Sequence, residues 1–311
     1  GDRVRWEFMQ LPGENDDILK SEEKIRSLVT THTKYRDFEI ERKAVYTFHA
    51  RVADKWRSGC IFLAGDSAHL MPPFAGQGMN GGIKDAANIA WKLAAVLRNE
   101  ASESILDTYE TERSSVVRKM VETSRRLGSI IMATGRVTAT ARDALFACLN
   151  LSSAFRAFIG RGGVLPPPSI DRSALTGQAR DKLIGQMMPQ PLVRDDRRTF
   201  HLDALLGDRQ WLALGLGCDP AAALSARDRL ILDALGARFV CINATPSDPQ
   251  TLSLQTSDAA FIEWALQNRF AAAVVRPDKF IVDRIEDRRE LPALTLFEPA
   301  LGNSRPTRDA A

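Results

Sequence analysis

The sequence predicts an α/β chain with α+β elements, built in two successive parts. Three observations predict it. Apolar and alternating runs rich in β-branched and aromatic residues recur near the start, as in "FEIERKAVYTFHARVADKW" at 38–56. Long stretches with apolar residues at helical spacing then fill most of 78–160. From about residue 190, strand-like and helix-like runs alternate afresh, which is the pattern of a small α/β unit.

In chain order, residues 3–10 alternate as a strand and end at the turn Leu11-Pro12-Gly13-Glu14. "SEEKIRSLVTT" at 21–31 reads as a short helix with Ser21 as N-cap and Lys24, rather than Glu, at the third helical position. Residues 38–56 follow as strand. "CIFLAGD" at 60–66 is a short continuous apolar run ending in Gly-Asp, as expected of a buried strand. A helix is expected over 78–98 through Ile83, Ala87, Ala90, Trp91, Ala94 and Leu97. A second, lined with Arg and Glu, runs over about 104–133, and further helices fill 138–160. Glycines 160 and 163 and prolines 166–168 make a break. Beyond it, 211–217, 237–244 and 270–285 read as strands, with helices at about 220–235 and 257–267.

Composition excludes several classes. The 42 Lys+Arg against 39 Asp+Glu leave a formal charge of +3 over 311 residues, with basic residues scattered, so neither nucleic acid nor an anionic membrane is an expected partner. No apolar run approaches the roughly 20 residues of a membrane span. Cys60, Cys148, Cys218 and Cys241 lie far apart without metal-ligand spacing, and read as free thiols of a reducing, cytoplasmic setting.

"GDSAHLMPPFAGQGMNGG" at 65–82 contains Gly76-Gln77-Gly78-Met79-Asn80-Gly81, which fits the dinucleotide fingerprint G-x-G-x-x-G. That fingerprint needs a strand running directly into the glycines, a helix out of them and a second strand presenting an acid about 20 residues on. Here the strand ends at Asp66 and the chain after Gly81 continues as helix upon helix; Glu100 and Glu103 fall in a helix connection. The match is a coincidence of letters. What remains is a carboxylate at a strand end and a glycine-rich helix start. The first can accept from a sugar-like hydroxyl, and the second offers free N–H groups and a positive dipole end to an anion or an electron-rich carbonyl.

At this point the residues resemble a family. "GDSAHLMPPFAGQGMNGGIKDAANIAWKL" is similar to the second flavin-binding motif of the single-component FAD-dependent aromatic hydroxylases, the para-hydroxybenzoate hydroxylase superfamily. "RWEFMQLPGE", "AVYTFHARVADKW", "LDTYETER" and "LIGQMMPQPLV" bring it closest to the 3-(3-hydroxyphenyl)propionate hydroxylase group. The resemblance implies FAD as cofactor, NADH or NADPH as co-substrate, and hydroxylation of a phenolic aromatic acid by O2 through a flavin C4a-hydroperoxide. It places Asp66 on the ribityl chain, Pro73 at the border of the flavin ring, and the helix start at Gly78, Met79 and Asn80 at the N1–C2=O edge, with Gly76 and Gln77 also among the cofactor-binding residues. His69 reads as a loop stabiliser, because the chemistry belongs to the flavin. Arg5, Tyr46, Phe48 and His49 are candidate substrate contacts; sheet core for Tyr46 and Phe48, and an edge-strand role for Arg5, stay open beside that reading. Asp107, Tyr109, Glu110 and Arg113 resemble a family helix motif with a packing and ion-pair role.

The family's N-terminal βαβ and its middle Asp-Gly motif do not occur in these residues, so the chain reads as the C-terminal portion of the monooxygenase fold. The expected parts are 1–58, the end of the substrate-binding sheet; 59–100, the closing segment of the FAD domain; 101–165, helical; 166–189, a linker; and 190–311, a thioredoxin-like domain. In the last of these, Cys218 has no second Cys nearby for thiol exchange, which suggests a structural or homodimer-supporting role. Two other readings share these residues: a scaffold without cofactor, and a flavin oxidoreductase acting on a non-phenolic substrate.

Overall fold

The computed structural model describes residues 3–303 except 35, 161–162, 164, 166–167, 172, 177–180, 207–209 and 287–288, so parts of the expected linker at 166–189 lie outside the described residues. Two short helices open the chain, α1 (Asp16–Leu19) and α2 (Glu22–His32). Asn15 Oδ1 accepts from the amides of Asp17 and Ile18, and the Ser21 hydroxyl accepts from that of Lys24. These oxygens satisfy amides that a helix start leaves unpaired, so the polar residue before each run fixes where it begins.

The expected strands around these helices do not form. Residues 3–10 and 38–50 carry no regular ladder, and only Arg51–Val52, β1, is paired, antiparallel to His69–Leu70. Alternation decides which side a residue faces, but a strand persists only where a neighbour completes its hydrogen bonds. Here the two segments meet through side chains: Arg3 and Glu41 pair at 2.8 Å, both exposed. Next come β2 (Arg57–Ser58) and β3 (Ile61–Phe62), a small hairpin around Gly59 at φ +58°, and then β4 (His69–Leu70).

The helical part follows expectation with one division. After α3 (Gly78–Leu97), a 3-10 turn at Glu103–Asp107, capped by Ser102, leads into α4 (Thr108–Ile131). Then α5 (Arg136–Leu151) and α6 (Ser153–Gly160) fill the region expected to be helical, and neither buries a residue.

A hairpin of three-residue strands, β5 (Leu192–Arg194) and β6 (Thr199–His201), begins the second part; such strands are too short for alternation to announce them. β7 (Leu212–Leu216), α7 (Ala226–Ala234), β8 (Arg238–Ile242), β9 (Leu252–Leu254), α8 (Ala259–Gln267), β10 (Ala272–Val275) and β11 (Ile281–Arg284) complete it. The sheet order is β11-β10-β7-β8-β9. β7, β8 and β9 are mutually parallel; β10 joins β7 antiparallel and β11 joins β10 antiparallel. The apolar run at 270–285 is therefore two strands, folded back at Pro277 and Asp278.

Both faces of this sheet are covered, which explains its continuous apolar runs. Leu212, Leu214, Val240 and Ile242 pack on one side with Phe261 and Ala265 of α8. Trp211, Ala213, Phe239 and Val274 face the other side and share a core with Trp91 of α3, Tyr109 of α4 and Phe297. The Trp211 ring meets Phe297 at 4.9 Å and Trp91 at 5.6 Å, both edge-on, so one aromatic cluster joins the sheet to the helices.

Candidate functional site

The stretch singled out in the sequence is a loop held from behind by α4. Tyr109, Arg113, Val117, Val121, Ser124 and Gly128 recur every three or four residues and form one buried stripe. Each end of the stripe grips the loop. The Tyr109 hydroxyl donates to the Leu63 carbonyl at 2.8 Å, and the Ser124 hydroxyl donates to that of Pro72 at 2.6 Å. Burial, then the Asp85 charge, raises the Tyr109 pKa, so its hydroxyl stays a donor. At Gly128 a Cβ would sit 2.3 Å from the Phe74 ring, so the helix needs glycine there to admit the loop.

The centre of the assembly is Asp85 on α3, which is fully buried. Its Oδ2 accepts from the Gly65 amide at 3.1 Å and meets His69 Nε2 at 2.7 Å, while Oδ1 accepts from Arg113 Nε at 2.8 Å. Burial alone would raise this carboxyl's pKa; the His69 bond, the Arg113 charge and bond, and the Gly65 amide outweigh it and hold it below the usual carboxylate range. The carboxylate therefore ties the 3-10 turn at Gly65, β4 and α4 to α3. Trp56 stacks on His69 with centroids 5.6 Å apart.

This frame presents one exposed face. Asp66 lies in a 3-10 turn after Gly65, itself at φ +59°, and is exposed. Pro73, Gly76, Met79 and Asn80 are exposed as well, with Gln77 and Gly78 half-buried. Gly76 sits at φ +60° with open space where a Cβ would be. Gln77 makes no side-chain cap, so the first amides of the 20-residue α3 are left for a partner. A carboxylate, a flat open glycine surface and an uncapped helix start suit the ribityl chain and electron-rich ring edge of a flavin. The residues fit FAD.

The other sequence candidates lie apart from this face or beside it. Arg5 is exposed and pairs with Glu7. Tyr46 and Phe48 are about half exposed, their rings 6.3 Å apart, so they are not sheet core in this chain. His49 is exposed. The segment they share runs into β1, whose Val52 is registered on His69, so its end lies alongside the motif. Arg57 pairs with Asp107 at 2.5 Å, and Glu110 accepts from the Trp56 amide at 2.8 Å, in line with the ion-pair and packing role expected of that helix. Sequence reasoning missed Asp85. Its letter carries no spacing signal, whereas the stripe on α4 was legible as helical periodicity.

Comparison with known proteins decides the relationship. Residues 4–124 match the FAD binding domain family, and residues 185–296 match the HcaD C-terminal domain family. Over 98% of its length the chain is 32% identical to a 3-(3-hydroxy-phenyl)propionate/3-hydroxycinnamic acid hydroxylase of Burkholderia cenocepacia (strain HI2424), covering 58% of that protein. A second such hydroxylase, of Burkholderia vietnamiensis (strain G4 / LMG 22486), is 35% identical over 89% of the chain and 53% of its own length.

By sequence this chain is similar to 3-(3-hydroxy-phenyl)propionate/3-hydroxycinnamic acid hydroxylases.

It spans just over half the length of the hydroxylases it matches. Among solved structures, aklavinone-11 hydroxylase in a ternary complex with FAD and aklavinone superposes with a TM-score of 0.64 at 23% identity, over 93% of this chain and 52% of that one, and shares the fold. K252c-soaked RebC aligns with a TM-score of 0.59 at 26% identity, over 89% and 52%. Within the FAD binding domain match fall Asp66, Pro73 and residues 76–80, together with the network centred on Asp85. Among the described residues no helix is long and apolar enough to cross a membrane.

Proposed function

We propose that this chain forms the ribityl and ring-edge side of the flavin site of a monooxygenase that hydroxylates a phenolic aromatic acid. The observation that carries the reading is the exposed face of Asp66, Pro73 and residues 76–80, braced from behind by buried Asp85, Arg113 and Ser124. When bound, FAD reduced by NADH or NADPH would supply the activation of O2, one of whose oxygen atoms goes to the ring while the other leaves as water. The protein's part is positioning. Asp66 accepts from a ribityl hydroxyl, and Pro73 and Gly76 leave a flat surface for the ring. The amides of Gly78, Met79 and Asn80 stabilise negative charge at the N1–C2=O edge, where an uncapped helix start is worth most.

Tyr46, Phe48 and His49, with Arg5, are the substrate-side residues of this reading; their exposure and the run of their segment into β1 support it. The order of the C-terminal sheet, a parallel βαβ pair extended by an antiparallel hairpin, supports a thioredoxin-like unit. Cys218 within it is half-buried and free, and burial raises its pKa, which supports a structural or homodimer-supporting role over thiol exchange. Four free thiols fit a cytoplasmic setting.

The test is coupled turnover. With FAD-loaded protein, a meta-hydroxylated phenylpropionate should accelerate NADH or NADPH oxidation and emerge with one added hydroxyl, as read by mass spectrometry. Reductant consumption without an oxygenated product, across a panel of phenolic acids, would overturn the hydroxylase reading.

A further inference from the structure

We propose that Asp85 is the positioning residue of this site: it fixes His69 as the Nε2–H tautomer and, through the Gly65 amide, sets the place of Asp66. The inference rests on the flavin reading only where it concerns what Asp66 binds; the arrangement itself is argued from contacts within the chain.

An ionised carboxylate donates nothing, and Arg113 Nε at 2.8 Å keeps Asp85 ionised. The 2.7 Å contact between His69 Nε2 and Asp85 Oδ2 therefore requires the proton on Nε2. A second ring proton on Nδ1 would need an acceptor, and His69 Nδ1 is a buried atom without a hydrogen-bond partner, so the geometry leaves Nδ1 bare. The same Oδ2 accepts from the Gly65 amide at 3.1 Å. Gly65 adopts φ +59°, and a Cβ on Gly82 would stand 3.1 Å from its Cα, so the turn is pressed against the first turns of α3. A Cβ on Gly81 would likewise stand 3.1 Å from His69 Cε1. The turn cannot slide along the helix without losing the carboxylate, and Asp66 is the next residue. One side chain thus co-locates the carboxylate and the helix start, the two halves of the exposed face.

The geometry makes Asp85→Asn a discriminating variant. With Oδ1 kept on Arg113, the new Nδ2 amide donates to His69 Nε2. The ring proton must then move to Nδ1, and the Gly65 amide faces a donor instead of an acceptor.

Nitrogen NMR of the 311-residue chain reads the tautomer, and amide hydrogen exchange reads Gly65. The wild type should show His69 as Nε2–H with a bare Nδ1 and a protected Gly65 amide. Asp85→Asn should reverse the tautomer and speed Gly65 exchange by about tenfold or more, the scale of a lost charge-assisted bond. His69→Gln, whose amide can still donate to Asp85, should leave Gly65 protected. It keeps the test open should Asp85→Asn fold poorly. A wild-type His69 carrying its proton on Nδ1, or an unchanged Gly65 exchange rate in folded Asp85→Asn, would overturn the proposal. FAD titration separates the two readings. Weaker flavin binding by Asp85→Asn supports positioning, whereas a wild-type chain without flavin affinity counts against the proposed function and leaves the tautomer and exchange data to decide this one.

Discussion

Arg276 Nη1 donates to Glu112 Oε1 at 2.8 Å across 164 residues of sequence, with both side chains excluded from solvent. The pair is the middle of a balanced buried cluster. Lys92 meets Glu112 at 2.9 Å, Arg276 is held by Asp278, and the Ser173 hydroxyl donates to Glu112 at 2.7 Å. Burial disfavours the Glu112 charge, but Arg276 and Lys92 prevail and hold its pKa down to about 2. Arg276 belongs to the turn between β10 and β11, and Glu112 is the neighbour of Arg113 on α4. The C-terminal sheet is thus clasped to the helix that braces the motif.

Replacing Arg276 by Met should therefore cost about 3–5 kcal/mol, because it leaves Glu112 charged and under-paired in a dry site. Urea unfolding followed by tryptophan fluorescence would measure it. A loss below about 1 kcal/mol would mean the cluster is solvated in solution.

Asp283 should make stability depend on pH in an unusual direction. Burial pushes its carboxyl up to about 6, against an ordinary 3.8. Between those values the folded chain binds more protons than the unfolded one, so this group's contribution falls as pH rises through the window. Asp283→Asn should accordingly stabilise the chain at pH 7 by about 1–2 kcal/mol, with the advantage gone near pH 4. Thermal melts of both proteins at the two pH values test the sign.

Gly128→Ala should drive the Phe74 ring away from α4, since the added Cβ would stand 2.3 Å from it. Overpacking of this kind costs about 1–3 kcal/mol. Adding Phe74→Leu should recover part of the loss; equal stability of single and double variants would place the strain elsewhere.

Asp66→Ala in FAD-binding protein should weaken flavin affinity by about 1–3 kcal/mol, the size of one charge-assisted hydrogen bond, with little change in melting temperature because Asp66 is exposed. Unchanged flavin titration would remove Asp66 from the site.

Cys218→Ser should leave turnover unaltered. Its thiol is half-buried, with a pKa raised by burial, and so is a poor nucleophile. A mixed disulfide trapped at Cys218 would contradict the structural role.

The sequence by itself determined the elements whose signals are local. Ser21 capped its helix, the apolar spacing of 78–98 made α3, and the run 211–217 made β7, because capping and one-sided or two-sided burial leave a periodic trace in the chain. The long motif at 65–82 likewise pointed to its flavin relatives from its letters alone. Only the tertiary structure decided the rest. Residues 3–10 and 38–50 have strand alternation without a ladder, since pairing depends on what lies beside them and not on their own pattern. Asp85 reads as an ordinary polar residue of a helix until folding brings Gly65, His69 and Arg113 around it. Arg276 and Glu112 became partners for the same reason. A buried charge is tolerated only where distant segments supply its counter-charge and donors together, and no local spacing records that.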